Sequence, residues 1–223
     1  MSWAVRRHAG HPAELHAREV TDPVARAVWV CDPTGAALVL GSAQPAARVD
    51  HLACAKAGID VVRRRSGGGA VLVVPGDLLW VDLVIPAGDP LWHADVGVAF
   101  HWVGDAWAAA LGALGHDVVV HRGALVRSRW SADVCFAGRG PGEVTLGGRK
   151  VVGISQRRTR GWARFQCAAL RRWDPTAMAG LLALDPDARR RAEGDLAGMA
   201  AGIEDDLEAV LAAFLRQLPP PAP

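Results

Sequence analysis

Three consecutive glycines, at positions 67–69, separate two apolar segments of the chain in the stretch 63–71 (RRRSGGGAV). Glycine lacks a Cβ atom, so such a run admits positive φ angles and lets backbone N–H groups come close to a neighbouring group. The pattern predicts a strand, a tight turn and a second strand. The flanking arginines and Ser66 add donors that suit a phosphate or a carboxylate. A flexible turn that binds nothing is the alternative that this stretch leaves open.

The distribution of apolar residues along the chain predicts an α+β fold. Strands are expected at 25–33 and 35–43, joined as a hairpin through the turn 32–35, and at 78–86, 116–123, 132–138, 142–158 and 163–173. Helices are expected at 45–58 and 93–115 and in the segment from residue 174 onward. Strands and helices in this order predict a mixed or antiparallel β-sheet with helices packed on it. We assign residues 1–173 to one domain, 174–218 to C-terminal helices packed on the same domain, and 219–223 to a disordered tail.

Composition excludes several classes of protein. The chain has 223 residues, 51% of them hydrophobic and 22% charged, which is enough apolar material for a core. The net charge of +2 argues against a nucleic-acid-binding or membrane-binding protein with a broad basic surface. No apolar run reaches the roughly 18 residues of a membrane span, and no secretory signal is evident at the N-terminus. Four well-separated cysteines without a CxxC pair favour a reducing, cytoplasmic location.

A second motif, residues 147–156 (GGRKVVGISQ), carries an unusual lysine. The chain has 23 arginines but only two lysines, Lys56 and Lys150, and it contains no asparagine. Where arginine is so readily used, a lysine suggests a need for a compact point charge rather than a wide guanidinium. The motif predicts a hairpin that enters a strand, with Arg149 and Lys150 on opposite faces. A solvated surface lysine is the alternative for Lys150.

The two motifs, in this order, resemble the lipoate–protein ligase A and octanoyltransferase family, which is related to biotin–protein ligases. The resemblance runs from about residue 27 to 170 and includes residues 38–44 (LVLGSAQ). It implies a biotin/lipoate protein ligase-like catalytic domain that attaches lipoate or octanoate to a lysine of a lipoyl domain. Ligases of the family form an acyl-adenylate from ATP and Mg²⁺, whereas the transferases take the acyl group from an acylated carrier without a cofactor.

The resemblance also implies roles for particular residues. Lys150 matches the lysine that contacts the reacting acyl carbonyl or phosphate oxygen, where negative charge develops. Asp133 matches a residue that contacts a metal or an adenylate, although no set of metal ligands is predicted. Apolar walls would hold an eight-carbon chain, at about 0.8 kcal/mol per buried CH₂ group. The expected binding residues for the adenylate or the acyl head group are Arg64, Ser66, Gly67, Gly68, Gly69, Ala70, Asp133, Gly153, Ile154 and Ser155.

Cys135 is a second candidate catalytic residue. It lies 15 residues before Lys150 in the segment 132–136 (ADVCF). One octanoyltransferase branch similar to this sequence carries a nucleophilic cysteine in a comparable Cys-Phe context. A thiolate here would form an acyl-thioester, and Lys150 would favour the thiolate. The alternative is a small buried hydrophobic residue in a strand.

Departures from the family pattern keep other functions open. Ala132-Asp133 stands where the family has Asn-Asp, and Gln166-Cys167 stands where it has His-Gly. These differences weaken the case for ATP-dependent ligation and allow a non-catalytic acyl or nucleotide binder. Residues 129–134 (RWSADV) loosely resemble a biotin-ligase strand, so a biotin–protein ligase is a further alternative. The expected partners are lipoyl domains of 2-oxoacid dehydrogenase complexes or the glycine-cleavage H protein, with acyl carrier protein as a candidate donor.

Overall fold

The computed structural model describes residues 3–220, which form two β-sheets with helices packed around them. The larger sheet contains seven strands and the smaller one three. The strands are β1 (Ala4–Gly10), β2 (Ala27–Pro33), β3 (Ala37–Leu40), β4 (Asp60–Arg63), β5 (Val71–Val73), β6 (Leu78–Pro86), β7 (Val118–Val120), β8 (Val144–Leu146), β9 (Arg149–Arg158) and β10 (Trp162–Leu170).

The larger sheet has the order β1-β2-β6-β10-β9-β8-β7, and the smaller has the order β4-β3-β5. Strands β1 and β2 are parallel, as are β3 and β4, and the other neighbours are antiparallel. This mixed arrangement confirms the predicted α+β class.

Within residues 3–220, seven α-helices surround the sheets, and several of them begin at an aspartate. The side chains of Asp50, Asp174, Asp185 and Asp206 each accept a hydrogen bond from a backbone N–H in the first helical turn. The helices are α1 (Pro12–Ala17), α2 (His51–Lys56), α3 (Val96–Ala99), α4 (His101–Ala113), α5 (Pro175–Gly180), α6 (Pro186–Ala197) and α7 (Leu207–Arg216).

The helices bury apolar faces against both sheets. Helix α7 packs on α4, where the rings of Phe214 and Trp107 stack at 3.9 Å between centroids. Helices α5 and α6 cover the smaller sheet, so that Met178 and Leu196 join Leu38 and Leu40 in one buried cluster. None of the helices in residues 3–220 combines the length and apolar character needed to cross a bilayer.

Two local predictions were wrong, and two elements were missed. Strands β2 and β3 do not form a hairpin, because β2 belongs to the larger sheet and β3 to the smaller one. The segment expected as a strand at 132–138 contains a turn and a 3₁₀ helix, Cys135–Ala137, and joins the triglycine turn only through a bridge between Ala70 and Val134. Strand β1 and helix α1 were not predicted at all.

The end of the chain bears on the predicted tail. The backbone carbonyls of Pro219 and Pro220 accept hydrogen bonds from Arg26, and that of Pro219 also accepts one from Trp3. Residues 221–223 lie outside the described residues, so disorder of the tail stays a prediction, as does a boundary at residue 173.

Candidate active site

The triglycine turn is wedged between the end of β3 and the segment that carries Cys135. The Ala70 N–H donates to Asp133 O at 2.8 Å, and the Cys135 N–H donates to Ala70 O at 2.9 Å. A Cβ atom on Gly69 would lie 2.7 Å from the Val134 carbonyl carbon, and one on Gly41 would lie 1.8 Å from Gly68 O. These backbones approach so closely that only glycine fits between them.

Arg64 fastens this turn from inside. Its guanidinium is buried and donates to the carbonyl oxygens of Val39, Gly67 and Gly69 at 3.1, 2.7 and 2.9 Å. Arg64 also lines the cavity described below, and its Nε has no hydrogen-bond partner among the described residues. Most of the N–H groups of Arg64, which was predicted to bind a ligand, therefore donate to the protein's own backbone.

Cys135 lies at the start of the 3₁₀ helix, beside the triglycine turn. Its Sγ is 3.7 Å from the position that a Cβ on Gly68 would take. Of the four cysteines it alone is half-buried, since Cys31, Cys54 and Cys167 are fully buried. Burial raises the pKa of each of those three thiols. Cys135 is thus the cysteine most accessible to a substrate.

Lys150 is buried behind the Cys135 turn. Its ammonium donates to the Cys135 carbonyl oxygen at 2.6 Å and to both carboxylate oxygens of Glu143 at 2.9 Å. The ammonium also lies 4.9 Å from the centre of the Phe136 ring. Lys150 and the triglycine turn are on the same side of the molecule and are linked through the Cys135 backbone, but the ammonium contacts the carbonyl of Cys135 and not its thiol.

An apolar cavity opens next to Cys135, and its empty space of about 460 Å³ includes the part that is open to solvent. Its lining is mostly hydrophobic, with a few polar side chains along one wall. The lining residues are His16, Val39, Arg64, Val71, Val73, Leu78, Trp80, Cys135, Phe136, Gly153, Ile154, Ser155, Gln166, Cys167 and Ala168.

Ser155, Gln166 and His16 form the polar wall, and a chain of hydrogen bonds links them through Ser66, which does not itself line the cavity. The Ser66 hydroxyl lies 3.0 Å from the Ser155 hydroxyl and donates to Gln166 Oε1 at 2.8 Å. Gln166 Nε2 lies 3.1 Å from His16 Nδ1. Strands β10 and β9 pair Gln166 with Ser155, which explains why these two side chains meet. The chain connects the triglycine turn to helix α1.

His16 is a neutral member of this wall. Burial, with smaller contributions from the charges of Arg64 and Arg164, lowers the pKa of His16 to about 3. Its ring packs on Trp80, with 4.3 Å between centroids. The wall therefore offers an uncharged imidazole to whatever occupies the cavity.

A buried ion pair holds α1 in place. Arg164 donates to Asp82 Oδ2 through Nε at 2.7 Å, and also to the carbonyls of Arg18 and Leu15 at 2.8 and 2.9 Å. Burial is the main influence on Asp82 and raises its pKa, although the adjacent Arg164 guanidinium opposes the rise. The pair positions the end of α1, and with it His16, over the sheet.

The remaining predicted residues divide into two groups. Gly153, Ile154 and Ser155 line the cavity, and a Cβ on Gly153 would lie only 3.2 Å from the Phe136 ring. The buried Asp133 carboxylate does not line it, and its Oδ1 lies 3.5 Å from Arg48 Nη1.

Glu143 and His16 were not predicted as site residues, and Phe136 appeared only as the neighbour of Cys135. Glu143 carried one usable signal, an acidic side chain in the hairpin that leads to Lys150. His16 carried none, because its place in the site depends on the packing of α1. Gln166 was noted only as a departure from a family pattern.

A comparison with known protein families identifies the class to which this fold and site belong. A model of the family "Lipoyl protein ligase A/B catalytic domain" matches residues 14–207. This match covers most of the chain, so the protein belongs to that family, as the resemblance predicted.

Individual relatives agree with the assignment. The chain is 25% identical over 161 residues to octanoyltransferase LipM of Clostridioides difficile (strain 630), covering 71% of this chain and 59% of that protein. Its fold is similar to a structure from a study of a bipartite lipoate protein ligase and its E2 lipoyl domain from Thermoplasma acidophilum, with a TM-score of 0.73, 18% identity and coverage of 97% and 81%. It is also similar to a lipoate-protein ligase A bound with ATP, with a TM-score of 0.68, 19% identity and coverage of 97% and 83%.

Proposed function

We propose that this protein transfers an octanoyl or lipoyl group to a lysine of a lipoyl domain through a thioester on Cys135. The observation that carries the proposal is the half-buried Cys135 thiol, which borders an apolar cavity and lies beside the triglycine turn. Family membership and the similarity to an octanoyltransferase agree with it.

In the first step the Cys135 thiolate attacks the carbonyl carbon of an acyl-carrier thioester. A bond forms between Cys135 Sγ and the acyl carbon, the bond to the carrier sulfur breaks, and the carrier leaves as a thiolate that takes up a proton. The ammonium of Lys150 holds the backbone carbonyl of the reacting cysteine and is paired with Glu143, so it fixes the cysteine's position.

In the second step the neutral amine of the acceptor lysine attacks the thioester. The new C–N bond forms an amide, the C–S bond breaks, and the Cys135 thiolate is regenerated, with the amine proton passing to solvent or to the thiolate. Two moderate barriers replace one difficult transfer.

The cavity suits an uncharged aliphatic chain. Val73, Leu78, Trp80 and Ala168 supply apolar walls, and His16 is neutral over the physiological pH range. Each CH₂ group of the acyl chain gains about 0.8 kcal/mol on burial there. The same lining disfavours an acid with a second carboxylate at its far end, since a buried unpaired charge is costly.

An ATP-dependent ligase is the second candidate, favoured by the fold shared with an ATP-bound ligase. In that case Arg64 and Ser66 would be the residues expected to contact the acyl-adenylate. Magnesium bound with ATP is usually held by one or two carboxylates together with the phosphates. Asp133 would be the carboxylate, but its side chain does not line the cavity, and its Oδ1, which accepts no hydrogen bond among the described residues, lies 3.5 Å from the cation of Arg48. This donor set does not fit Mg²⁺ well, so we favour the transferase.

The test is to incubate the protein with an apo lipoyl domain and either octanoyl-acyl carrier protein or octanoate with ATP and Mg²⁺. Mass spectrometry of both proteins should show an octanoyl adduct on Cys135 and on the acceptor lysine with the first donor. Cys135→Ala should abolish both adducts. Cys167→Ala, which alters another cysteine of the same cavity, should retain them. Labelling of the acceptor only with ATP would support the ligase, and labelling by neither donor would refute both.

The setting of the reaction follows from its chemistry. We propose that the acceptors are lipoyl domains of 2-oxoacid dehydrogenase complexes or the glycine-cleavage H protein, that acyl carrier protein is the donor, and that the protein works in the cytoplasm. The fold similarity to a structure from a study of a ligase and its E2 lipoyl domain supports the choice of acceptor.

A further inference from the structure

We propose that Glu143 is a positioning residue of the acyl-transfer site, which holds the Lys150 ammonium against the turn that carries Cys135. The proposal rests on the acyl transfer proposed above, but it concerns a residue that neither sequence motif contains. Glu143 lies in the loop before β8, and the β8–β9 hairpin brings it back to Lys150.

The Glu143 carboxylate is buried and fully engaged. Oε1 accepts from Lys150 Nζ at 2.9 Å and from the Ile154 N–H at 3.3 Å. Oε2 accepts from Lys150 Nζ at 2.9 Å and from the Gly140 N–H at 2.7 Å. The side chain therefore joins the Gly140 loop, the cavity strand β9 and the lysine in a single set of charge-assisted hydrogen bonds.

Lys150 has no freedom left in this arrangement. Its side chain is 1% exposed, and an ammonium has three hydrogens to donate. The three acceptors are the two oxygens of Glu143 and the carbonyl oxygen of Cys135. Without Glu143 the lysine would be a buried cation beside one carbonyl and one aromatic ring, which is an unfavourable environment for a charge. It would move away from this position.

The position of Lys150 matters because its ammonium holds the backbone of Cys135. The Cys135 N–H is bound to Ala70 O of the triglycine turn, and the Cys135 carbonyl is bound to Lys150. The backbone of the cysteine is thus fixed at both ends, and the second attachment depends on Glu143. A thiol that must reach a carbonyl carbon within a narrow range of angles benefits from such fixing.

The first test separates positioning from substrate binding. With octanoyl-acyl carrier protein and an apo lipoyl domain, Glu143→Gln should lower kcat by about 30-fold or more and leave KM for the carrier within about threefold, because a misplaced reacting group costs rate rather than affinity. Glu143→Asp, which keeps the charge on a shorter stem, should be intermediate. Glu208→Gln breaks an exposed Glu–Arg pair on α7 and should leave kcat unchanged. A kcat of Glu143→Gln within about threefold of the wild type would overturn the proposal.

The second test needs no catalysis. In hydrogen exchange, Glu143→Gln should accelerate exchange of the Phe136 and Ala137 amides by about tenfold or more, because the turn has lost an attachment. Lys150→Met should do the same, and adding Glu143→Gln to it should have no further effect, because Glu143 acts through the lysine. The proposal would be contradicted if the exchange rates in the double variant showed the product of the two single effects, or if Glu143→Gln left exchange unchanged.

If the wild type transfers no acyl group, the proposed function fails, while the exchange comparison still decides the role of Glu143. Should Glu143→Gln not fold, Glu143→Asp takes its place in both tests, and wild-type behaviour there would be the contrary result.

Discussion

Gly67 and Gly69 stand two residues apart in one turn, yet their surroundings differ completely. A Cβ on Gly69 would lie 2.7 to 2.8 Å from backbone atoms of Val134 and Cys135, whereas one on Gly67 would meet nothing within 4 Å. Gly68 differs from both, because its φ of 103° is strained for other residues. The three glycines therefore satisfy different requirements, and of the three it is Gly69 whose backbone packs tightly against the segment that carries the cysteine.

We predict that Gly69→Ala destabilises the protein by about 1–3 kcal/mol, since the added methyl group must displace backbone. The thioester yield on Cys135 should fall as well. Gly67→Ala, with open space around its Cβ and no positive φ, should change stability by less than about 0.5 kcal/mol. Urea unfolding of the two variants makes the comparison, and equal destabilisation would show that the turn does not press against the Cys135 segment.

At the scale of single elements, helix α1 contributes a neutral histidine to a wall otherwise built on strands. The Gln166 side chain of β10 accepts a hydrogen bond from the Ser66 hydroxyl through Oε1, and its Nε2 lies within hydrogen-bond distance of His16 Nδ1. The helix is six residues long, too short to be stable alone, so its position depends on Arg164 and on the packing of Leu15.

The burial of the His16 imidazole predicts that the stability of the protein depends on pH. The pKa of His16 is about 3 in the folded protein and about 6.5 when unfolded, so between these values only the unfolded chain binds the proton. Stability attributable to His16 is complete above pH 6.5 and is lost as pH falls toward 3, by about 1.4 kcal/mol per unit. His16→Gln should flatten the slope of unfolding free energy against pH in this window. The exposed His51→Gln should not, and a slope unchanged by His16→Gln would argue against a buried neutral imidazole.

At the scale of the whole molecule, the buried Arg164–Asp82 pair joins three parts of the chain. Asp82 lies on β6, Arg164 on β10, and the guanidinium also binds the carbonyls at the end of α1. The Trp80 indole N–H donates to Asp82 at 2.8 Å, which fills a further acceptor site of the carboxylate. Both side chains are at most 2% exposed, so loss of one partner leaves an unpaired buried charge.

Arg164→Met should therefore destabilise the protein by about 3–5 kcal/mol. The double variant Asp82→Leu/Arg164→Met should recover much of that loss. Arg7→Met, which breaks a pair exposed to solvent, should cost at most about 1 kcal/mol. Thermal and urea unfolding provide the measurement, and a loss in Arg164→Met no larger than in Arg7→Met would contradict the assigned role.

Local patterns were sufficient to predict much of this protein. Alternation and helical spacing predicted strands β6 and β10 and helices α4 and α7 because each of these buries a regular apolar face. The glycine run and the lysine in an arginine-rich chain pointed to the residues that border or support the cavity. These signals lie within short segments, so they can be recognised from the sequence without knowledge of the tertiary structure.

Long-range contacts decided the rest. The sequence between β2 and β3 has ordinary hairpin residues, but the strands enter different sheets because each finds a better partner elsewhere in the chain. Three contacts of the site depend on the positions of whole elements. They are the contact of Glu143 with Lys150, that of His16 with Gln166, and the hydrogen bond from the Lys150 ammonium to the Cys135 carbonyl. No short segment encodes those distances, because burial and pairing energies are shared among residues far apart in sequence and settle only when the sheets and helices pack together.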